Sequence, residues 1–248
     1  MSGHSKWANI RRKKEKTDSQ RAHAFTKLGR ELAVVVKMGG GDPEINAKLK
    51  DVIVKAKAAN MPNDNITRCI NKAAGDKDAA GYEEVTYEGY GPAGVAVVVE
   101  TLTDNRNRTA GDVRHFFDKY GGNLGTTGCV SFMFDKKGLI LIEKNAKSDE
   151  DQIMMDALES GADDFLLEDE YFEITTSVSN FSNVREYLEK KGYKFESAEI
   201  TMIPTMYTKI TDEKQIILME KIIDNLEELD DVQNVYHNWE QDEQPDEE

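Results

Sequence analysis

The chain has 248 residues, 39% hydrophobic and 32% charged, with a formal net charge of −15 at pH 7. That length admits two or three domains with a packed core, and the balance is that of a soluble globular protein. The longest apolar runs, such as Val95 to Val99, are too short to span a membrane, and two cysteines exclude a disulfide framework and point to a reducing compartment, the cytosol by default.

Residues 1–30 hold nine Lys and Arg against two acids, a net of +7. Over residues 1–75 the balance is 16 basic to 7 acidic, +9, so the remaining 173 residues carry 16 basic and 40 acidic, −24. An acidic body is repelled by nucleic acid, so any such binding must be led from the N-terminal third. The N-terminus is basic but lacks the apolar stretch of a signal peptide, and no targeting segment is expected. Residues 1–20 have weak apolar periodicity and read as an arm, with Lys6, Arg11, Arg12, Lys13, Lys14 and Lys16 clustered around Trp7. The indole either stacks on a base or packs the arm onto the helical bundle.

From Arg21 a helix is expected. Phe25, Leu28, Leu32 and Val35 form its apolar face, with His23, Lys27, Arg30 and Lys37 on the opposite arc. That basic arc is either a phosphate-contacting face or a solvated one. Gly39-Gly40-Gly41 ends the helix; no strand precedes it and no Lys-Ser/Thr follows, so a phosphate loop is excluded. Asp42-Pro43-Glu44 then reads as the capped start of a second helix carrying Ile45, Leu49, Val52, Ile53 and Ala56. A third short helix places Ile66, Cys69, Ile70 and Ala73 on one side and stops at Gly75. Residues 74–81 are small and polar, a linker.

Strand texture begins at Tyr82. Glu84–Tyr90 and Gly94–Thr103 form a hairpin through Gly91-Pro92-Ala93, followed by a helix from about Asn107 and a strand over Val130–Phe134. After a turn at Lys136-Lys137-Gly138, the elements of residues 139–203 read β-α-β-β-α-β, the order of a ferredoxin-like sandwich. The segments Asp112–Lys119 and Asn183–Lys190 align as a weak internal repeat. After Pro204 come a strand, a long amphipathic helix and a last strand, Val232–His237. The expected architecture is α+β and multidomain: a basic arm and three-helix bundle (1–75), an α/β sandwich from 82–135 plus 204–240, a second ferredoxin-like sandwich inserted at 136–203, and a disordered acidic tail (241–248).

Four histidines with no i, i+4 pair and no CxxC give no metal motif. No cofactor is expected, and an enzyme would rest only on scattered polar residues, Cys129 with His115 being the one conceivable nucleophile pair. The stretch Asp104-Asn105-Arg106-Asn107-Arg108-Thr109 carries more. Arg106 and Arg108 beside a helix N-terminus form either an anion site for RNA, DNA or a carboxylate on a partner, or solvated side chains beside a cap made by Asp104, Asn105 or Asn107.

These stretches also carry a resemblance. Gly3-His4-Ser5-Lys6-Trp7-Ala8-Asn9-Ile10, Phe25-Thr26-Lys27-Leu28, Gly39-Gly40-Gly41-Asp42-Pro43, Ala58-Ala59-Asn60-Met61-Pro62, Tyr87-Glu88-Gly89-Tyr90-Gly91-Pro92 and Leu102 through Thr109 resemble the YebC/PmpR family, from residue 2 to about 240. The resemblance implies a helical N-terminal domain with two α/β domains, one inserted in the other. It further implies a cytoplasmic, non-enzymatic regulator of gene expression, described for most members as a DNA-binding transcriptional regulator. Related members, including the mitochondrial translational activator of cytochrome oxidase, act in translation, which implies as the alternative a ribosome-associated factor that binds ribosomal RNA and relieves stalling at proline-rich sequences. The residues expected to contact nucleic acid are Lys6, Trp7, Arg11, Arg12, Lys13, Lys14, Lys16, Arg21, Lys27, Arg30, Arg106 and Arg108; no membrane or small-molecule partner is expected. Ala93 stands where Gly is common in the family and Phe132 where Trp is common; both differences look structural.

Overall fold

The computed structural model describes residues 18–75, 81–145, 149–168 and 170–241, with side chains from residue 23 onward. It is a mixed α/β structure with seven helices among the described residues, the helical segment first and antiparallel sheets after it. The described chain falls into two compact units, residues 18–131 with 208–239 and residues 132–207 with 240–241.

The first unit begins with helices α1 (Asp18–Gly39), α2 (Ala47–Ala58) and α3 (Asn63–Gly75). Leu28, Leu32, Val35 and Val36 of α1 meet Leu49, Val52 and Ala56 of α2 and Ile66 and Ala73 of α3 in one core. The periodicity of the sequence therefore selects the buried faces. Cys69 packs against this core, in keeping with its place on the apolar side of α3.

The start of α2 differs from expectation. Asn46, not Asp42, is the N-cap: its Oδ1 accepts from Leu49 N at 3.1 Å, and its Nδ2 donates to Val35 O at 2.8 Å and Gly40 O at 2.9 Å. Asp42 instead closes a turn by accepting from Glu44 N at 2.9 Å. Ile45, outside the helix, is 82% exposed. A buried Asn that serves α1 and α2 together outcompetes a local Asp-Pro start.

The same unit continues with β1 (Glu83–Tyr90), β2 (Ala96–Thr103), α4 (Arg106–Lys119) and β3 (Asn123–Leu124), and later with β8 (Thr208–Lys209), α7 (Glu213–Glu228) and β9 (Val232–His237). The sheet order is β3-β1-β2-β9, antiparallel throughout. Its central strand β2 supplies Val97 and Val99 to a core with Val113 and Phe117 of α4 and Met219, Ile222, Ile223 and Leu226 of α7. The element order is ββαβ before the second unit and βαβ after it, and the expected hairpin joins β1 directly to β2 in register from Glu83↔Thr103 to Tyr90↔Ala96.

The second unit contains β4 (Phe134–Glu143), α5 (Glu150–Glu159), β5 (Asp164–Leu167), β6 (Tyr171–Thr176), α6 (Phe181–Lys190) and β7 (Ser197–Pro204). Its sheet order is β5-β6-β4-β7, again antiparallel. Helices α5 and α6 bury Ile153, Ala157, Phe181, Val184 and Leu188 against Ile140, Ile142, Phe172 and Ile174. Here too one expectation fails. Ser131–Met133 is a single 3-10 turn, not a strand, and Lys136-Lys137-Gly138 is no turn but the interior of β4. Gly138 is paired on both sides, with Thr176 of β6 and Ile200 of β7. A Cβ there would lie 2.5 Å from Phe181 Cδ2, so the glycine admits a close approach of α6 and does not mark a bend.

A last short strand, β10 (Trp239–Glu240), pairs with β8, and Trp239 closes the core of the first unit. All but one residue of the expected acidic tail lie outside the described residues.

Candidate functional site

The basic arc of α1 does not point only to solvent. Arg30 donates to Asp231 Oδ1, and its guanidinium lies 5.6 Å from the ring centre of Tyr82. Lys27 Nζ donates to Glu227 O at 2.5 Å, one of the last carbonyls of α7, where the helix dipole favours a cation. His23 Nδ1 lies 2.9 Å from Asp230 Oδ1.

Asp231, just ahead of β9, is the hub. Its Oδ2 accepts from Arg108 Nη2 at 2.7 Å and lies 2.7 Å from Thr109 Oγ1 and 3.2 Å from Thr103 Oγ1. Its backbone O accepts from Leu102 N at 2.7 Å. Burial alone would raise the Asp231 pKa; donation from Arg108, Thr109 and Arg30 outweighs it and holds the carboxyl below the usual value of 3.8. Arg108 donates also to Asp104 Oδ1 at 2.9 Å, and these two carboxylates push its own pKa upward.

The cap of α4 is made by Asn105, whose Oδ1 accepts from Arg108 N at 3.1 Å. Thr103 Oγ1 in turn accepts from Asn105 N at 2.9 Å. The Thr103–Thr109 stretch is thus both cap and anion site, and the anion it holds is a carboxylate of the same chain.

Of the sequence-predicted contact residues, Lys6, Trp7, Arg11, Arg12, Lys13, Lys14 and Lys16 lie outside the described residues, and Arg21 is described only in its helical backbone. Arg30 and Arg108 are brought together on one carboxylate, and Lys27 sits beside them at the end of α7. Arg106 is exposed on the first turn of α4, its backbone O accepting from Tyr87 Oη at 3.3 Å. Sequence reasoning missed Asp231. The adjacent acids Asp230-Asp231 before a strand were visible, but nothing local ties them to Arg108, more than a hundred residues earlier.

Other cations remain on the surface of the bundle: Lys48, Lys50 and Lys57 on α2, and Arg68 and Lys72 on α3 are exposed. Asp64, Thr67, Arg68, Asn71 and Lys72 line a shallow depression on α3. Lys55 is engaged with Glu31 at 2.9 Å.

A second buried acid shapes a loop. Glu88 of β1 accepts from Gly128 N (2.8 Å), Val130 N (2.9 Å) and Ser131 N (2.8 Å). Burial works against the charge, and the three backbone donors override it, so its pKa is lowered. Cys129 lies in this loop; burial and then the charge of Glu88 raise its thiol pKa, the reverse of an activated nucleophile. Among the described residues no group of three or more His, Cys, Asp or Glu could hold a metal ion, and no helix is long and apolar enough to cross a membrane.

A helical module docked through ion pairs onto an antiparallel α/β unit, with a second α/β unit, defines a class of multidomain α+β proteins without a metal centre among the described residues. Residues 5–76 match the family model of the TACO1/YebC protein N-terminal domain, and residues 82–239 match that of the TACO1/YebC second and third domain. The chain belongs to this family. It is 69% identical over 239 residues to a "probable transcriptional regulatory protein" of Acetivibrio thermocellus, covering 96% of this chain and 99% of that one. A protein of the same description from Ruminiclostridium cellulolyticum is 62% identical over 248 residues, covering 100% of both. The crystal structure of a conserved hypothetical protein from Aquifex aeolicus is similar with a TM-score of 0.81 and 45% identity, covering 94% of this chain and 96% of that one.

Proposed function

We propose that the chain is a non-enzymatic, nucleic-acid-binding regulator of gene expression in the cytoplasm, a DNA-binding transcriptional regulator of the YebC/PmpR type. The observation that carries this reading is the division of charge: +9 over residues 1–75 against −24 over the rest. Such a molecule approaches a phosphate backbone with its N-terminal module leading and its acidic units turned away. The names of the relatives agree with a role in transcriptional regulation.

In this reading the arm residues Lys6, Trp7, Arg11, Arg12, Lys13, Lys14 and Lys16 make the first contacts, joined by Arg21 and Arg106. The exposed cations of α2 and α3 extend the surface. Lys27, Arg30 and Arg108, whose charged ends are held within the chain, serve the same interface by fixing the bundle on the sheet. Contacts of this kind position a protein on a duplex without reading its sequence.

The test is titration of the full chain with a mixed-sequence DNA duplex at several salt concentrations. Neutralising Arg11, Arg12, Lys13 and Lys14 together is expected to weaken binding and to reduce the log–log salt slope by about 0.9 for each phosphate no longer neutralised. Absence of duplex affinity at low salt, or an unchanged affinity in the neutralised variant, overturns the proposal.

A further inference from the structure

Most other glycines set inside or beside the elements have reasons internal to the fold, and Gly75 and Gly81, which also meet open space, stand at the end of α3 and ahead of β1, not within an element's interior. Gly89, Gly122 and Gly138 stand where a Cβ would come within 3 Å of other atoms, and Gly40, Gly94, Gly121, Gly128, Gly161 and Gly192 have positive φ. Gly29 faces Cys69 Sγ, 3.5 Å from where its Cβ would be. Gly111 has none of these. It sits in the interior of α4, is exposed, has no positive φ, and a Cβ added to it would meet open space. An alanine there would favour the helix and touch nothing. A bare backbone at such a position admits close approach from outside the chain.

The side chains that surround it indicate what approaches. The helical neighbours at i−4, i−3, i+3 and i+4 are Asn107, Arg108, Arg114 and His115, all exposed and none of them a carboxylate. Arg108 is anchored by Asp104 and Asp231, whereas Arg114 makes no ion pair among the described residues. Arg106 stands exposed at the first turn. Asp118, two turns on from Gly111, bounds the patch. Arg108 is neutralised by Asp104 and Asp231 and the exposed Asp112 adjoins Gly111, so the remaining donors around the exposed backbone are the Arg114 guanidinium, the His115 imidazole and the Asn107 amide, groups complementary to phosphate oxygens.

We propose that the Gly111 face of α4 is a second contact with the phosphate backbone of duplex DNA, with Arg114 and Asn107 as donors and Gly111 as the point of closest approach. The inference rests on the DNA-binding reading and adds a site outside the basic N-terminal third. The Arg108–Asp231–Arg30 contacts fix the first turn of α4 against α1.

The experiment compares the full-length wild type with Gly111→Ala, Gly111→Gln and Arg114→Gln. It uses thermal melting and titration with a mixed-sequence DNA duplex and, separately, an RNA hairpin. Gly111→Ala is expected to melt about 2–4 °C higher, since helix propensity improves, and yet to bind the duplex about tenfold more weakly, with Gly111→Gln weaker still. Arg114→Gln should reduce the salt slope by about 0.9. Duplex affinities of both Gly111 variants equal to wild type, or a lower melting temperature for Gly111→Ala, overturn this site alone. Loss of affinity confined to the RNA hairpin overturns its assignment to DNA. A wild type that binds no duplex at low salt overturns the functional reading and this site together.

Discussion

Arg108 Nη2 lies 2.7 Å from Asp231 Oδ2, and the other oxygen of that carboxylate accepts from Arg30. One buried acid thus bridges α4 to α1, and through them the sheet to the helical bundle. Removing its charge leaves two guanidinium groups facing an amide. Breaking a buried pair from one side costs about 3 kcal/mol. Asp231→Asn is therefore expected to lower the melting temperature by on the order of 10 °C. Asn46, Leu49 and the core of the bundle should keep their hydrogen-exchange protection relative to the sheet if the bundle undocks as a unit. A melting temperature within a degree or two of wild type would show that the bundle is held by other contacts.

The same residue sets a pH dependence. The folded-state pKa of Asp231 is held below the 3.8 of the free group. A depressed carboxyl contributes stability that is full above the unfolded value and is lost as pH falls through the folded one. The melting-temperature gap between wild type and Asp231→Asn should therefore be constant from neutral pH down to about 5 and should close below about 4. Measuring the difference between the two proteins cancels the parallel titration of Glu88 and Asp156, whose pKa values are also lowered. A gap that persists undiminished at pH about 2 would remove charge from the explanation.

Where the signal was periodic, the sequence was legible. The apolar faces of α1 and α3, the β1–β2 hairpin and the β-α-β-β-α-β order of β4 to β7 follow from spacing and turn residues alone. The rest depended on partners distant in the chain. Asn46 displaced Asp42 as the cap because it also reaches Val35 O and Gly40 O, which a local pattern cannot reveal. Gly138 looked like a turn because glycine commonly is one; its reason is the ring of Phe181 on α6. Arg108 stayed open between an anion site and a solvated side chain because its carboxylate, Asp231, lies beyond the second unit in sequence.

Asn46→Ala tests the junction of α1 and α2. The substitution removes the cap to Leu49 N and leaves Val35 O without its side-chain donor in a buried place. Loss of a cap costs about 1 kcal/mol, and loss of the side-chain hydrogen bonds to Val35 O and Gly40 O adds about 1 kcal/mol or more. Chemical denaturation should show a loss of roughly 2 kcal/mol with an unchanged m-value. Asp42→Ala, which removes only an exposed turn contact, should cost less than about 0.5 kcal/mol. Equal effects of the two would return the cap to Asp42.

Ala93 occupies the left-handed region, with φ of 57° and ψ of 16°, in the turn between β1 and β2. An L-residue with a Cβ carries a penalty of about 1–2 kcal/mol there, partly offset in glycine by its greater freedom in the unfolded chain. Ala93→Gly is thus expected to stabilise the protein by about 0.5–1 kcal/mol, a rise of about 1–4 °C in melting temperature. Ala93→Val, β-branched at the same φ, should lower it. If glycine lowers the melting temperature as well, the turn is not strained and the alanine is held by packing.

Glu88→Gln separates shape from charge in the loop that leads out of the first unit. Glutamate offers two acceptor oxygens, one to Gly128 N and one to Val130 N and Ser131 N. Glutamine keeps one acceptor and turns its NH₂ towards the remaining N–H groups, so at least one buried donor loses its partner. The expected cost is about 2 kcal/mol, since hydrogen bonds to a charged group are the stronger kind. Hydrogen exchange should locate the damage, with faster exchange at Gly128, Val130 and Ser131 and little change at Val97 or Val99 in the centre of the sheet. The thiol pKa of Cys129, raised in part by the Glu88 charge, should fall in the same variant, and alkylation rates measured against pH would report it. Unchanged exchange at all three amides would mean that the loop is ordered by its own backbone and that Glu88 only follows it.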